Sequence, residues 1–153
     1  MILQLRFLIL MIVHVSSVDS SCARNFQKPA FLATLTRRET ELTSNSVVKF
    51  DAIITNVGSG YDSSSGLFTV PRKGTYLFAV NFVSGVSKHW LELNLLKNNN
   101  LIVKSHADAT PWSSGSLQVI LELEEGDQIS IKHPKPKGFI LGHRYSMFSG
   151  HFL

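Results

Sequence analysis

Three features predict an all-β sandwich or jelly roll. From Pro29 to Leu153, apolar residues alternate with polar ones in short runs, the period-two pattern of half-buried strands. Gly, Pro, Asn, Asp and Ser cluster between the runs, and such punctuation separates the strands of a sandwich or barrel. Residues 21–153 hold no convincing helical periodicity, so no helix is expected to cover a sheet.

The chain has 153 residues, enough for one domain. Its start reads differently from the rest. "MILQLRFLILMIVHVSS" places Arg6 before an apolar run from Phe7 to Val13 and ends in small residues, the layout of a secretory signal peptide. The run falls short of the ~20 apolar residues that a spanning helix needs. Residues 1–20 are expected to be removed, with the cut near 17–21, and a retained signal anchor is the alternative. Residues 21–28 then form a short polar leader and 29–153 the globular domain, with no later membrane span. The protein is expected to be secreted. Its one cysteine, Cys22, forms an interchain disulfide or stays a free thiol, since an odd count leaves nothing to pair with inside the chain.

The strands follow in order. "AFLATL" (30–35) is the first, and polar "TRRETELTSNS" (36–46) is expected as a loop. "VVKFDAIITN" (47–56) reads as one strand, before the loop "VGSGYDSSSG" (57–66). "LFTV" leads into the turn "PRKG" (71–74), where proline presets φ. "TYLFAVNFV" (75–83) and "WLELNLLK" (90–97) are strands, and "NNN" (98–100) suits a tight hairpin into "LIVKSHA" (101–107). "SLQVILELE" (116–124) and "QISIKH" (128–133) flank the turn "EGD". "PKPKG" (134–138) is expected to stop the ladder, and "YSMFSGHFL" (145–153) is the final strand.

A sheet with one wet face should alternate cleanly. Strands 30–35, 75–83 and 145–153 do not, because their second faces are small or apolar. One sheet is therefore expected to be covered on its outer side, and with no helix to spare, another copy of the chain is the expected cover. Scattered surface apolar residues are the alternative.

Enzyme signatures are absent: no Gly-x-Ser-x-Gly, no His-Glu-x-x-His, no Cys/His pairs at zinc spacing. His106 and Asp108 in "SHAD" would share a strand face if the strand extended to Asp108, a pairing common by chance. The formal charge is +4, which biases an extracellular protein toward anionic partners. After Asp127 no acidic residue follows, and "IKHPKPKGFILGHRY" carries Lys132, Lys135, Lys137 and Arg144. These are the candidate ligand-binding residues for acidic glycans or phosphorylated surfaces, with Arg37 and Arg38 as a second candidate; a solvated loop is the alternative. The charge balance over most of the chain speaks against nucleic acid.

One segment is more specific. "FDAIITNVGSGYDSSSGLFTVPRKGTYLFAVNF" carries Phe50, Asp51, Asn56, Tyr61 and Asp62, then Gly66, Phe68, Thr69, Pro71, Gly74, Tyr76 and Phe78. "LEEGD" adds Leu123, Gly126 and Asp127, and "SMFSG" adds Ser146, Phe148, Ser149 and Gly150. In this order the residues resemble the globular domain of the complement component 1q family, within the tumour-necrosis-factor-like jelly rolls, from Ala30 to Leu153. The resemblance implies a ten-stranded antiparallel jelly roll that assembles as a trimer, a homotrimer or a hetero-trimer. Together with the alternation of the strands, it places Phe31, Phe50, Tyr61, Phe68, Tyr76, Phe78 and Phe148 in the core and Leu77, Ala79, Met147 and Leu153 at the trimer interface. No collagen-like repeat is present, so complement activation through a stalk is not implied. Calcium, bound by some relatives, has no local acidic motif here, and no other cofactor is implied. The function implied is a lectin-like pattern-recognition module of innate immunity, with a receptor-binding signal or a matrix component as alternatives.

Overall fold

The computed structural model describes residues 27–85 and 89–153. The expected signal peptide (1–20), Cys22 and most of the polar leader lie outside the described residues. Thirteen strands run in chain order: β1 (Ala30–Thr34), β2 (Glu39–Thr43), β3 (Ser46–Val47), β4 (Ala52–Val57), β5 (Tyr61–Asp62), β6 (Leu67–Thr69), β7 (Gly74–Val83), β8 (Leu91–Lys97), β9 (Asn100–Ala107), β10 (Ser114–Leu123), β11 (Gln128–His133), β12 (Lys137–Leu141) and β13 (Met147–Phe152). They exceed the expected ten because several are two or three residues long.

Sheet one has the order β10-β7-β13-β1-β4, and sheet two β5-β6-β11-β8-β9 with β3 beside β11. β12 and β2 form a separate ribbon. All pairings are antiparallel, and together they make the jelly roll. Asn98 and Asn99 take φ of 49° and 66° in the β8–β9 turn, the left-handed pair that a two-residue hairpin requires.

The sequence reading differs from this arrangement in two places. The segment expected as a loop, 36–46, contains β2, whose Leu42 is buried while Glu41 and Thr43 face water. Its polar composition hid a strand that exists because β12 offers a partner, Lys137 opposite Thr43 to Leu141 opposite Glu39. β12 itself starts inside the expected ladder stop, one residue after Pro136. The strand expected over 47–56 is broken between Val47 and Ala52. There the Phe50 backbone turns to a side chain: the Tyr61 hydroxyl accepts from Phe50 N–H at 3.1 Å and donates to Phe50 C=O at 3.2 Å.

The core lies between the sheets and is centred on Phe31. Its ring stacks on Tyr61 at 4.9 Å and Phe68 at 4.8 Å, and meets Phe148 edge-on at 4.8 Å. Phe50, Tyr76 and Phe78 are also fully buried. Such ring pairs add stabilisation beyond their buried area. Gly150 is required here, since a Cβ would come within 2.6 Å of Phe78 and 2.7 Å of Phe31. The motif residues around this core are mostly fasteners. Asn56 brackets Tyr61, accepting from its N–H at 3.1 Å and donating to its C=O at 2.8 Å. Buried Ser146 accepts from Val83 N–H at 3.1 Å and donates to Leu141 C=O at 2.7 Å.

Candidate ligand-binding surface

The two outer sheet faces differ in chemistry. On sheet one, register aligns Ile120, Leu77, His151, Ala30 and Val57 in one row across all five strands. The next row is Gln118, Ala79, Ser149, Leu32 and Thr55, and the third runs Ser116, Asn81, Met147, Thr34 and Ala52. Leu77, Ala79 and Met147 are half-buried and lie in the middle of this face, and Ile120 is 59 % exposed. Leu153 follows β13 and is exposed, its N–H bonded to Thr75 C=O at 2.9 Å. Thr34 Oγ1 is buried with no hydrogen-bond partner among the described residues.

Sheet two is cationic outside. Lys132 on β11 stands opposite Asn94 on β8, which stands opposite Lys104 on β9. Alternation puts these three on the outward face, because Ile131, Leu93 and Leu95 point into the core. Lys132 Nζ donates to Asn99 Oδ1 at 2.9 Å. One step along, Glu92 stands opposite His106. Lys135 Nζ lies 3.7 Å from the Glu92 carboxylate and 4.9 Å from the centre of the Trp90 ring. Trp90, half-exposed, meets His106 edge-on at 5.5 Å. Lys137 turns the corner, 3.2 Å from Glu41 and 5.1 Å above the Phe139 ring.

Trp90 is the wall between two depressions. One, of about 260 Å³, is lined by Trp90, Glu92, Lys104, Ser105 and His106. The other, of about 210 Å³, is lined by His89, Trp90, Lys135, Pro136 and Lys137. The sequence reading grouped Lys132, Lys135 and Lys137 by proximity and missed Trp90 and Lys104. The signal was present in the β8–β9 hairpin, whose register carries Lys104 across Asn94 to Lys132 of β11.

Arg144 lies apart from the lysines. β12 carries the chain roughly 13 Å from Lys137 to Leu141, at about 3.3 Å per residue. Beyond it the N–H of Arg144 bonds to Leu35 C=O at 2.9 Å and that of His143 to Arg37 C=O at 3.1 Å. Arg144 thus belongs with the second candidate segment, Arg37 and Arg38. Beside it Trp112 and Tyr145, both exposed, meet edge-on at 5.5 Å.

A further depression, about 410 Å³, opens between β2 and residues 46–51 and includes Arg37, Lys49, Glu41 and Asp51. Its charges oppose one another, and Asp51 is committed to Thr36. Burial raises the Asp51 carboxyl, but bonds from the Thr36 hydroxyl and N–H outweigh it and hold the group below its usual range. His106 and Asp108 approach only to 3.9 Å, with both side chains exposed. Among the described residues no three His, Cys, Asp or Glu side chains gather as a metal site, and no helix is long and apolar enough to cross a membrane.

The family model that matches residues 30–153 is that of the C1q domain. The chain belongs to the C1q domain family. C1q domains are extracellular recognition or signalling modules and typically form trimers. Caprin-2 of Danio rerio is 30% identical over 126 residues, which span 81% of this chain but only 14% of that protein. The globular domain of zebrafish complement 1qA superposes with a TM-score of 0.67 at 21% identity, covering 82% of this chain and 98% of that one. Eiger TNF from S. frugiperda gives 0.69 at 14% identity, over 82% and 92% of the two chains. Murine APRIL at pH 8.5 gives 0.66 at 13%, over 83% and 100%. These likenesses establish the jelly-roll fold that C1q domains share with the tumour necrosis factors.

Proposed function

We propose that this C1q domain is a secreted, non-enzymatic recognition module that trimerises and binds anionic or glycan ligands on microbial or host surfaces. The observation that carries the reading is the contrast between the outer sheet faces. The outer face of sheet one sets Leu77, Ala79, Leu32 and Met147 among small and polar residues at its middle and carries no covering element among the described residues. Sheet two presents Lys132 and Lys104, and Lys135 follows just beyond the end of β11. Assembly through the first face leaves the second turned outward in every copy, so individually weak sites gain avidity by multivalency. A homotrimer is the simplest assembly, and a hetero-trimer with related chains would use the same face. The role that follows is lectin-like pattern recognition in innate immunity.

Light scattering on the purified mature protein tests the trimer, and a monomer at micromolar concentration refutes it. Bacterial agglutination that falls as salt rises tests the ligand class, with calcium and without, and a screen without salt-sensitive binding refutes it. The shared fold with Eiger TNF and APRIL supports a second reading, a receptor ligand. Saturable nanomolar binding to one host membrane protein would decide for that reading.

A further inference from the structure

We propose that Trp90 and its flanking charges form a subsite for an acidic pyranose, a sugar ring that carries one carboxylate. The inference rests on the reading that the outer face of sheet two binds anionic glycans, and it names the chemistry of that ligand. Trp90 is 44 % exposed, and tryptophan is among the residues enriched where proteins meet a partner. His106 and Lys135 both contact the ring, so little ordering remains to be done when a ligand arrives. The C–H face of a pyranose packs on such an indole, while the polar groups around it fix orientation.

The charges around the ring select the ligand. Lys104 lines the depression on one side of Trp90 and Lys135 that on the other. Lys104 has no ion-pair or hydrogen-bond partner among the described residues, so an incoming carboxylate supplies its first. A charge-assisted bond of that kind is about twice as strong as a neutral one. Glu92 sits between the lysines, its side chain 12 % exposed and facing the same depression as Lys104. It repels a densely sulfated or phosphorylated chain, and like-charge juxtaposition at an interface is costly. Glu92 also accepts hydrogen bonds from hydroxyls. A sugar acid offers an anion for Lys104 or Lys135, hydroxyls for Glu92, and an apolar face for Trp90. A neutral sugar leaves Lys104 unused, and a polyanion meets Glu92.

The chain has two tryptophans, so Trp112→Phe in the full chain makes Trp90 the sole reporter of its own environment. Trigalacturonate should then give a saturable change in emission, and neutral galactotriose a response at least tenfold weaker. Trp90→Ala should weaken trigalacturonate binding at least tenfold by calorimetry, and Lys104→Gln three- to tenfold, both with unchanged circular dichroism. Trigalacturonate affinity within twofold of the parent in Trp90→Ala overturns the subsite and leaves the broader function standing. So does binding of a heparin hexasaccharide without binding of trigalacturonate. Failure of every anionic probe overturns both.

Discussion

Replacing Ala79 by glutamate should separate assembly from folding. Ala79 lies on β7, inside sheet one, between Gln118 of β10 and Ser149 of β13. Its side chain points away from the core, since Phe78 and Val80 on either side are the buried ones. A monomer therefore tolerates Glu there at a strand-propensity cost below ~1 kcal/mol. In a trimer built on this face the same change buries three carboxylates without partners. At roughly 3 kcal/mol for each unpaired ion the assembly loses about 9 kcal/mol. At about 1.4 kcal/mol per decade, that is roughly six decades in the assembly constant. Light scattering should show the parent as a trimer and Ala79→Glu as a monomer at micromolar concentration, with the urea midpoint of the monomer fold retained. Ala79→Ser, which repeats the chemistry of neighbouring Ser149, should remain trimeric. Binding to an immobilised anionic glycan should drop on the order of 10²–10⁴-fold in the glutamate variant, the scale of lost avidity. An Ala79→Glu protein that stays trimeric refutes the assignment of this face as the interface.

Three further outcomes follow from the core and its fasteners. Tyr61→Phe removes the hydroxyl that serves both polar groups of Phe50, and urea unfolding should show a loss of about 2–4 kcal/mol, two hydrogen bonds and the desolvated groups they leave; a loss under ~0.5 kcal/mol would contradict the bridge. Phe31→Ala opens the centre of the aromatic cluster and should cost ~3–5 kcal/mol in the same assay, with an unchanged midpoint counting against the packing described. Asp127 is held at about 2 by the Lys97 ammonium, 2.9 Å away, and by Asn98. A depressed folded-state value contributes stability above the unfolded value, lost as pH falls through the folded one. Asp127→Asn should thus melt below the parent at pH 7, and the gap should close between about pH 4 and pH 2; a gap independent of pH would remove the ion pair from the account.

Strands with an apolar stripe were legible in the sequence, because alternation survives whichever sheet receives them. Tyr76, Phe78, Val80 and Phe82 announce the inner face of β7 without any knowledge of neighbours. β2 was not legible, since its only buried apolar residue is Leu42 and the strand depends on a partner far along the chain, with Thr43 opposite Lys137 and Glu39 opposite Leu141. The break at Val48–Asp51 was hidden for a related reason, because the groups that end the strand, Tyr61 and Thr36, lie outside the segment. The surface followed the same rule. Lys135 and Lys137 are neighbours in sequence and remain so in space. Lys104 comes beside Lys132 only through two strand registers, and Arg144 leaves the lysines because β12 intervenes.

β13 occupies the middle of sheet one, between β7 and β1. It is also the last strand of the domain to leave a ribosome. Until Met147–Phe152 emerges, β7 and β1 have no edge to share, and Phe148 is missing from the ring cluster around Phe31. The domain therefore cannot close progressively during synthesis. Its first strand must wait unpaired on this side for nearly the whole domain to be made. Such distant pairings fold in milliseconds to seconds rather than microseconds, and an open strand edge is a site for aggregation during that interval. A nascent chain of this kind depends on a holding chaperone more than a protein whose central strand is made first.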